Sequence, residues 1–300
     1  MRGGLLAGCL FAAQAFAQSE PPAPAEPVAG IAAILTEPLL SEVSGAAGSR
    51  RDPNLLWLIN DSGNGARLFA LGTGGVLRAD LAIAAVRNHD WEDLAVYDHG
   101  NGPQLAIADV GDNAGVRETV QILILPEPLL PAADSTLEVQ RTLTLTYPDE
   151  PHDVESLAID PQLPHGYLLT KRTKPPRLYR FDLDGDDHQT LQLVAPLDGM
   201  PQLSEAELQS EQGFKRYRHQ PTGMDLSCDG QQLWVLTYGS IQRYQRPPDG
   251  WSGALSSAAP RSLALLPLPQ AESIAFDRDC QFVYVLSELS PVPIVRYRLH

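Results

Sequence analysis

Two short segments of the chain read alike: His89-Asp90-Trp91-Glu92 and His152-Asp153-Val154-Glu155. On an extended backbone, residues two apart project to the same side, so each segment aims an Asp and a Glu together. Carboxylates brought to one point repel unless a cation or a proton is shared among them. Hard oxygen donors of this kind suit Ca²⁺ better than a transition metal. With the loop Asp109-Val110-Gly111-Asp112-Asn113 and with Glu272, the candidate ligands are Asp90, Glu92, Asp109, Asp112, Asp153, Glu155 and Glu272, and the candidate cofactor is Ca²⁺. The imidazoles of His89 and His152, together with Glu92 and Glu155, are candidate acid/base groups. Arg117, Lys171, Arg172 and Tyr238 are candidates for holding a small anionic ligand beside such a metal. Each assignment has a structural competitor. A repeated Glu can accept hydrogen bonds from neighbouring backbone, an Asp-Asn loop can be a tight turn, and basic residues can simply pair with an acidic surface.

The elements that must position these groups are strands. Helical periodicity is nearly absent, and short β-rich runs alternate with Gly, Asp, Asn and Pro clusters. An internal repeat sets the architecture. Glu92-Asp93-Leu94-Ala95-Val96 recurs as Glu155-Ser156-Leu157-Ala158-Ile159 and as Glu272-Ser273-Ile274-Ala275-Phe276. Weaker copies are Met224-Asp225-Leu226-Ser227-Cys228 and Ser44-Gly45-Ala46-Ala47-Gly48. The mean period of about 57 residues is long for a propeller blade but tolerable with loop insertions. Each copy is followed by a second and a third apolar strand, and four of the five units have a fourth. The last unit stops at its third strand, while residues 28–35 form a spare strand ahead of the first. Pairing these two would close a ring of five four-stranded blades and remove two open sheet edges. The fold expected is therefore an all-β, five-bladed β-propeller over residues 28–300. A sixth blade would have to be found in residues 195–220, where Ser204 and Glu207 instead suggest a capping box and a short helix. In a propeller, the loops entering inner strands and those leaving second strands gather on one face. That topology brings the candidate residues to the mouth of the central channel.

The formal net charge of −15 argues against a nucleic-acid partner. Arg2, the apolar run from Leu5 and Ala15-Phe16-Ala17 read as a secretory signal over residues 1–17. A rival is the lipoprotein-like Leu6-Ala7-Gly8-Cys9. Residues 18–27 read as a Pro/Ala linker. No later stretch is long and apolar enough for a membrane helix. The expectation is a periplasmic or secreted monomer without a transmembrane anchor. Two cysteines remain after the signal, Cys228 and Cys280, which suggests a disulfide between the last two blades; two buried free thiols are the alternative.

Several phrases carry a resemblance: Asn60-Asp61-Ser62-Gly63, Asp90-Trp91-Glu92-Asp93-Leu94-Ala95, Ala108-Asp109-Val110-Gly111-Asp112-Asn113 with Arg117, Tyr147-Pro148-Asp149, Thr222-Gly223-Met224-Asp225-Leu226 and Ala271-Glu272-Ser273-Ile274-Ala275. Together they resemble a family of exported bacterial β-propellers of undefined function. More distantly, the chain is similar to phytase-like and lactonase-like propellers, which implies a divalent cation in a top or central site. Two functions compete. One is a non-catalytic binding module of the cell envelope with a bound cation, recognising a small anion or an envelope component. The other is a metal-dependent hydrolase of an anionic ester or lactone. No G-x-S-x-G elbow, H-E-x-x-H, Walker loop or paired C-x-x-C is present to decide between them.

Overall fold

The computed structural model describes residues 26–130, 136–289 and 291–299. The signal, its cleavage site, Cys9 and all but the last two residues of the linker lie outside the described residues.

Five antiparallel four-stranded units form the molecule. Blade 1 contains Val43–Gly48, Leu55–Asn60, Arg67–Gly72 and Leu77–Ala84. Blade 2 contains Trp91–Tyr97, Gln104–Asp109, Val120–Pro126 and Arg141–Thr146. Blade 3 contains Val154–Ile159, His165–Thr170, Arg177–Asp182 and Gln192–Pro196, and blade 4 contains Pro221–Leu226, Gln232–Thr237, Ser240–Gln245 and Arg261–Ala264. Blade 5 takes Ala271–Phe276, Phe282–Ser287 and Val292–Arg298 from the C-terminus, and its outer strand Val28–Leu35 from the N-terminus. That last pairing runs antiparallel from Val28 opposite Arg298 to Leu35 opposite Val292. The ring is therefore closed by strand exchange, and the inner strands neighbour one another in the order 1-2-3-4-5-1. The five-blade count stands. Residues 195–220 hold the capped helix Glu205–Ser210 rather than a sixth blade.

The second strands are buried almost throughout, as in Leu55–Asn60 and Phe282–Ser287, because neighbouring blades cover both faces. Trp57 and Trp234 are fully enclosed in those strands. Two short strands were not legible as part of the repeat. Leu137–Glu138 pairs parallel with the outer strand of blade 1, and His188–Thr190 with that of blade 2. Each covers a sheet edge with chain from the next blade's outer connection. Cys228 and Cys280 form a disulfide, with Cα atoms 6.0 Å apart, joining blades 4 and 5.

One irregularity recurs in all five inner strands. The pairing with the second strand slips by a residue at Val43/Gly45, Trp91/Asp93, Val154/Ser156, Pro221/Gly223 and Ala271/Ser273. The residues left over at these bulges are Ser44, Glu92, Glu155, Thr222 and Glu272. A bulge re-aims its extra side chain, and here it does so at the head of every inner strand. The fourth repeat copy thus begins at Thr222, two residues before the Met224 start suggested by the sequence. Asp225 is correspondingly not the counterpart of Asp93.

Candidate functional site at the channel mouth

The five bulge residues divide into two kinds. Ser44 donates its hydroxyl to Trp91 O at 2.7 Å, and Thr222 donates to Ala271 O at 2.7 Å. Each hydroxyl ties its blade to the next. The other three positions carry carboxylates, which cannot make that bond when ionised. Glu92, Glu155 and Glu272 are all less than 9% exposed.

Glu92 has two neighbours of like charge. One oxygen each of Asp61, Asp90 and Glu92 lies within 4.8 Å of the others. Asp61 comes from the loop leaving the second strand of blade 1, Asp90 from the loop entering blade 2, and Glu92 from the bulge at the head of that blade's inner strand. Asn88 joins these loops: its side-chain amide donates to Asn60 O at 2.9 Å and Asp61 O at 2.8 Å, and its oxygen accepts from Trp91 N at 3.0 Å. Gly111 forms the wall. A Cβ there would stand 2.1 Å from Glu92 Oε1 and 2.5 Å from Asp90 Oδ2, so any other residue would push the two carboxyl groups aside. Among the described residues, the Glu92 carboxylate accepts no hydrogen bond, although the residue is only 5% exposed. Burial first, then the charges of Glu155, Asp61 and Asp90, push its pKa well above the ordinary carboxylate range. Burial raises Asp61 and Asp90 as well, partly offset by Ser62.

The other two bulge glutamates are partnered. Lys171 Nζ forms an ion pair with Glu155 and lies 3.2 Å from Tyr238 Oη, which donates to Glu272 Oε1 at 2.7 Å. The result is a chain, Glu155–Lys171–Tyr238–Glu272, with buried glutamates at its ends and half-buried Lys171 and Tyr238 between them, spanning blades 3 to 5. Burial alone would lower the Lys171 pKa, but Glu155, Glu272 and Glu92 together raise it, so the ammonium stays charged. Burial, then the Glu288 charge, push Glu272 up to about 7. Burial raises Glu155 too, against the pull of Lys171.

The remaining expected residues are close by but engaged elsewhere. Arg117 holds Asp109 Oδ1 at 2.8 Å and Gly111 O at 2.8 Å. Asp112 accepts from Arg117 N at 2.6 Å and donates its own N–H to Asp153 at 3.0 Å. Arg172 pairs with Asp153 and reaches Asn113. Asp109, Asp112 and Asp153 therefore staple the loops of blades 2 and 3 with the help of the two arginines. Trp91 is fully buried, with its indole N–H 3.2 Å from Asp109. The His89 ring is exposed, and its backbone N–H reaches Asp109 at 3.3 Å. His152 sits between Tyr147 and Tyr179, with Nε2 3.1 Å from Asp149 and 3.1 Å from Tyr179 Oη. The hydrogen bonds of both histidines thus run to Asp109, Asp149 and Tyr179, outside the glutamate group. Asp61 is the member of the trio that the candidate ligand set omits. Its loop, Asn60-Asp61-Ser62-Gly63, is visible in the sequence, but the Asn88 bridge that brings it to Glu92 has no sequence signature.

No family model and no curated protein matches this chain. Solved structures to which it is similar include the crystal structure of RRP9 WD40 repeats and the structure of U3-55K. The first is 12% identical with a TM-score of 0.44, covering 86% of this chain and 67% of that one. The second is 12% identical with a TM-score of 0.41, covering 86% and 68%. These values carry no argument about activity; the fold assignment rests on the strand pairing itself.

Proposed function

We propose that the channel mouth binds a divalent cation, Ca²⁺, on Asp61, Asp90 and Glu92, and that the chain is an exported, non-catalytic ligand-binding module of the cell envelope. The observation that carries this reading is Glu92: a buried carboxylate without a hydrogen-bond donor, facing two further carboxylates. The spacing fits the ion. Oxygens sharing a Ca²⁺ at roughly 2.4 Å can lie at most about 4.8 Å apart, and the three oxygens meet that limit. A bound cation would stand in for the donors Glu92 lacks, offset the burial that raises all three groups and relieve the repulsion that Asp61 and Asp90 add at Glu92. The binding-module reading is supported by the basic residues. Lys171, Arg117 and Arg172 are already committed to Glu155, Asp109 and Asp153. The Cys228–Cys280 bond agrees with an oxidising compartment.

A second reading, cation-assisted hydrolysis of an anionic ester or lactone, has one observation in its favour. Glu272, at about 7 and hydrogen-bonded to Tyr238, can exchange a proton at neutral pH.

The test is a thermal melt of the mature protein in EGTA and in millimolar Ca²⁺, with Glu92→Gln as control. Ca²⁺ should raise the midpoint by several degrees in the parent and not in the variant, since a ligand at about a hundred times its Kd adds roughly 2.7 kcal/mol. A midpoint indifferent to Ca²⁺, Mg²⁺, Mn²⁺ and Zn²⁺ would refute the cation site. Turnover of a phosphoester, lactone or aryl-ester substrate that is lost in Glu272→Gln would replace the module reading with the hydrolase.

A further inference from the structure

A cleft of about 550 Å³ opens between blades 4 and 5, away from the channel mouth. Part of its wall is apolar or aromatic, made by Trp234, Phe276, Pro27, Leu299 and the Cys228–Cys280 disulfide, and Ser227, Gln232 and Gln245 add polar groups. Trp234 and Phe276 meet edge to face, with centroids 5.3 Å apart. One end is cationic. Arg243 and Arg261 stand directly opposite each other on neighbouring antiparallel strands, so both side chains lie on the same face of blade 4. Like charges in that position are destabilising unless an anion lies between them. The Arg243 guanidinium is laid over the Trp234 ring, 5.5 Å from its centroid, and its side chain is only 12% exposed. Its Nε is buried and has no partner among the described residues. Arg261 is exposed and has no ion pair among the described residues. The lining carboxylate, Asp229, is turned into its own loop by Ser227 Oγ at 2.6 Å and Gln231 N at 3.0 Å.

An anion already touches this end. Glu26, next to Pro27 and just ahead of the closing strand, pairs its carboxylate with Arg243 Nη2 while remaining 61% exposed. It satisfies one nitrogen of one arginine. The Arg243 Nε and the whole of Arg261 are left over, and the apolar walls are not covered by it.

We propose that this cleft is a second ligand site, for a small organic anion that joins a carboxylate to an apolar or aromatic body. Its carboxylate lies between Arg243 and Arg261, and its body lies against Pro27, Leu299 and the disulfide. Glu26 is the internal competitor: it neutralises Arg243 in the empty cleft and must yield when the ligand enters. The volume is within the range of small-molecule sites, and a few placed charges in an apolar pocket are their usual construction. Arginine supplies the planar fork that a carboxylate matches.

Calorimetric titration in EGTA, which removes any contribution from the channel mouth, tests this with three probes: phenylacetate, benzyl alcohol and acetate. Phenylacetate should bind, and the other two should bind at least about tenfold more weakly, since each lacks one half of the recognition. Glu26→Gln removes the competitor from an exposed position and should tighten phenylacetate several-fold. Arg261→Gln, also exposed, should weaken it several-fold. Phenylacetate binding no better than benzyl alcohol, or an affinity unchanged by Glu26→Gln, would overturn the proposal.

Discussion

Two groups of buried carboxylates lie along the same axis and are treated in opposite ways. Below the mouth, Asp93 is completely enclosed, yet its oxygens accept from Leu94 N at 2.8 Å, Leu157 N at 2.8 Å and Met224 N at 3.5 Å. One side chain of blade 2 thus binds the inner strands of blades 3 and 4. At the mouth, one residue earlier in the chain, Glu92 is almost as buried and has no such donor. Burial raises both groups. The difference is in what backbone N–H groups do for the charge. Enclosure alone therefore does not mark a functional carboxylate. Enclosure without donors, beside further carboxylates, is the feature on which the proposed cation site rests, because the stabilising partner must then come from outside the chain.

The largest effect that would break this contrast is at Asp93. Asp93→Asn keeps the shape but replaces one acceptor oxygen with an amide donor. Two buried donors then face each other unpaired, at roughly 2 kcal/mol each, so denaturant unfolding at pH 7 should show a loss of about 4 kcal/mol. Glu92→Gln in EGTA should go the other way and raise the melting midpoint, since it removes an unsupported charge. If both variants lose stability equally, the distinction between the two groups fails.

The next effect concerns pH. Glu272 titrates at about 7 in the folded chain against an ordinary 4.5. A raised pKa means the folded state keeps a proton that the unfolded state has released. Its contribution is complete below about 4.5 and is lost as pH climbs through 7. In EGTA the chain should therefore be less stable at pH 8 than at pH 5, by on the order of 3 kcal/mol from this group. Glu272→Gln should flatten the profile. A midpoint that rises from pH 5 to pH 8 would contradict the burial and repulsion assigned to the mouth.

Much of this arrangement is legible before any coordinates. The repeated Glu-x-Leu/Ile-Ala phrase marks three of the five bulge positions, since equivalent residues in a rotational repeat occupy equivalent places. The missing fourth strand of the last blade and the spare strand at residues 28–35 reveal ring closure by counting. What is not legible is set by side chains that cross between blades. Asp109, Asp112 and Asp153 have the right types and loops for ligands, but Arg117, Arg172 and backbone N–H groups occupy them. Asp61 joins the trio only through the Asn88 bridge. Periodicity also hides the register of blade 4. Its bulge residue is Thr222 rather than an acid, so the motif does not show where the strand begins.

The smallest effect tests the two bulges that carry no acid. Ser44 and Thr222 each donate one buried hydrogen bond to the carbonyl just before the next blade's bulge. Removing the hydroxyl strips that carbonyl, Trp91 O or Ala271 O, of the donor and leaves little volume behind. Ser44→Ala and Thr222→Val should each cost about 1 kcal/mol in denaturant unfolding. The two costs should add, because the positions lie in different blade interfaces and share no partner. Ca²⁺ should protect both variants as fully as the parent, since neither hydroxyl belongs to the trio. The informative comparison is Ser44→Glu. Blade 1 would then carry an acid at the position blades 2, 3 and 5 already use, but without Asn88, Gly111 or Lys171 arranged for it. It should destabilise by more than Ser44→Ala and gain no additional response to Ca²⁺. A gain in Ca²⁺ protection would mean that the bulge position alone, and not its neighbours, makes a carboxylate functional.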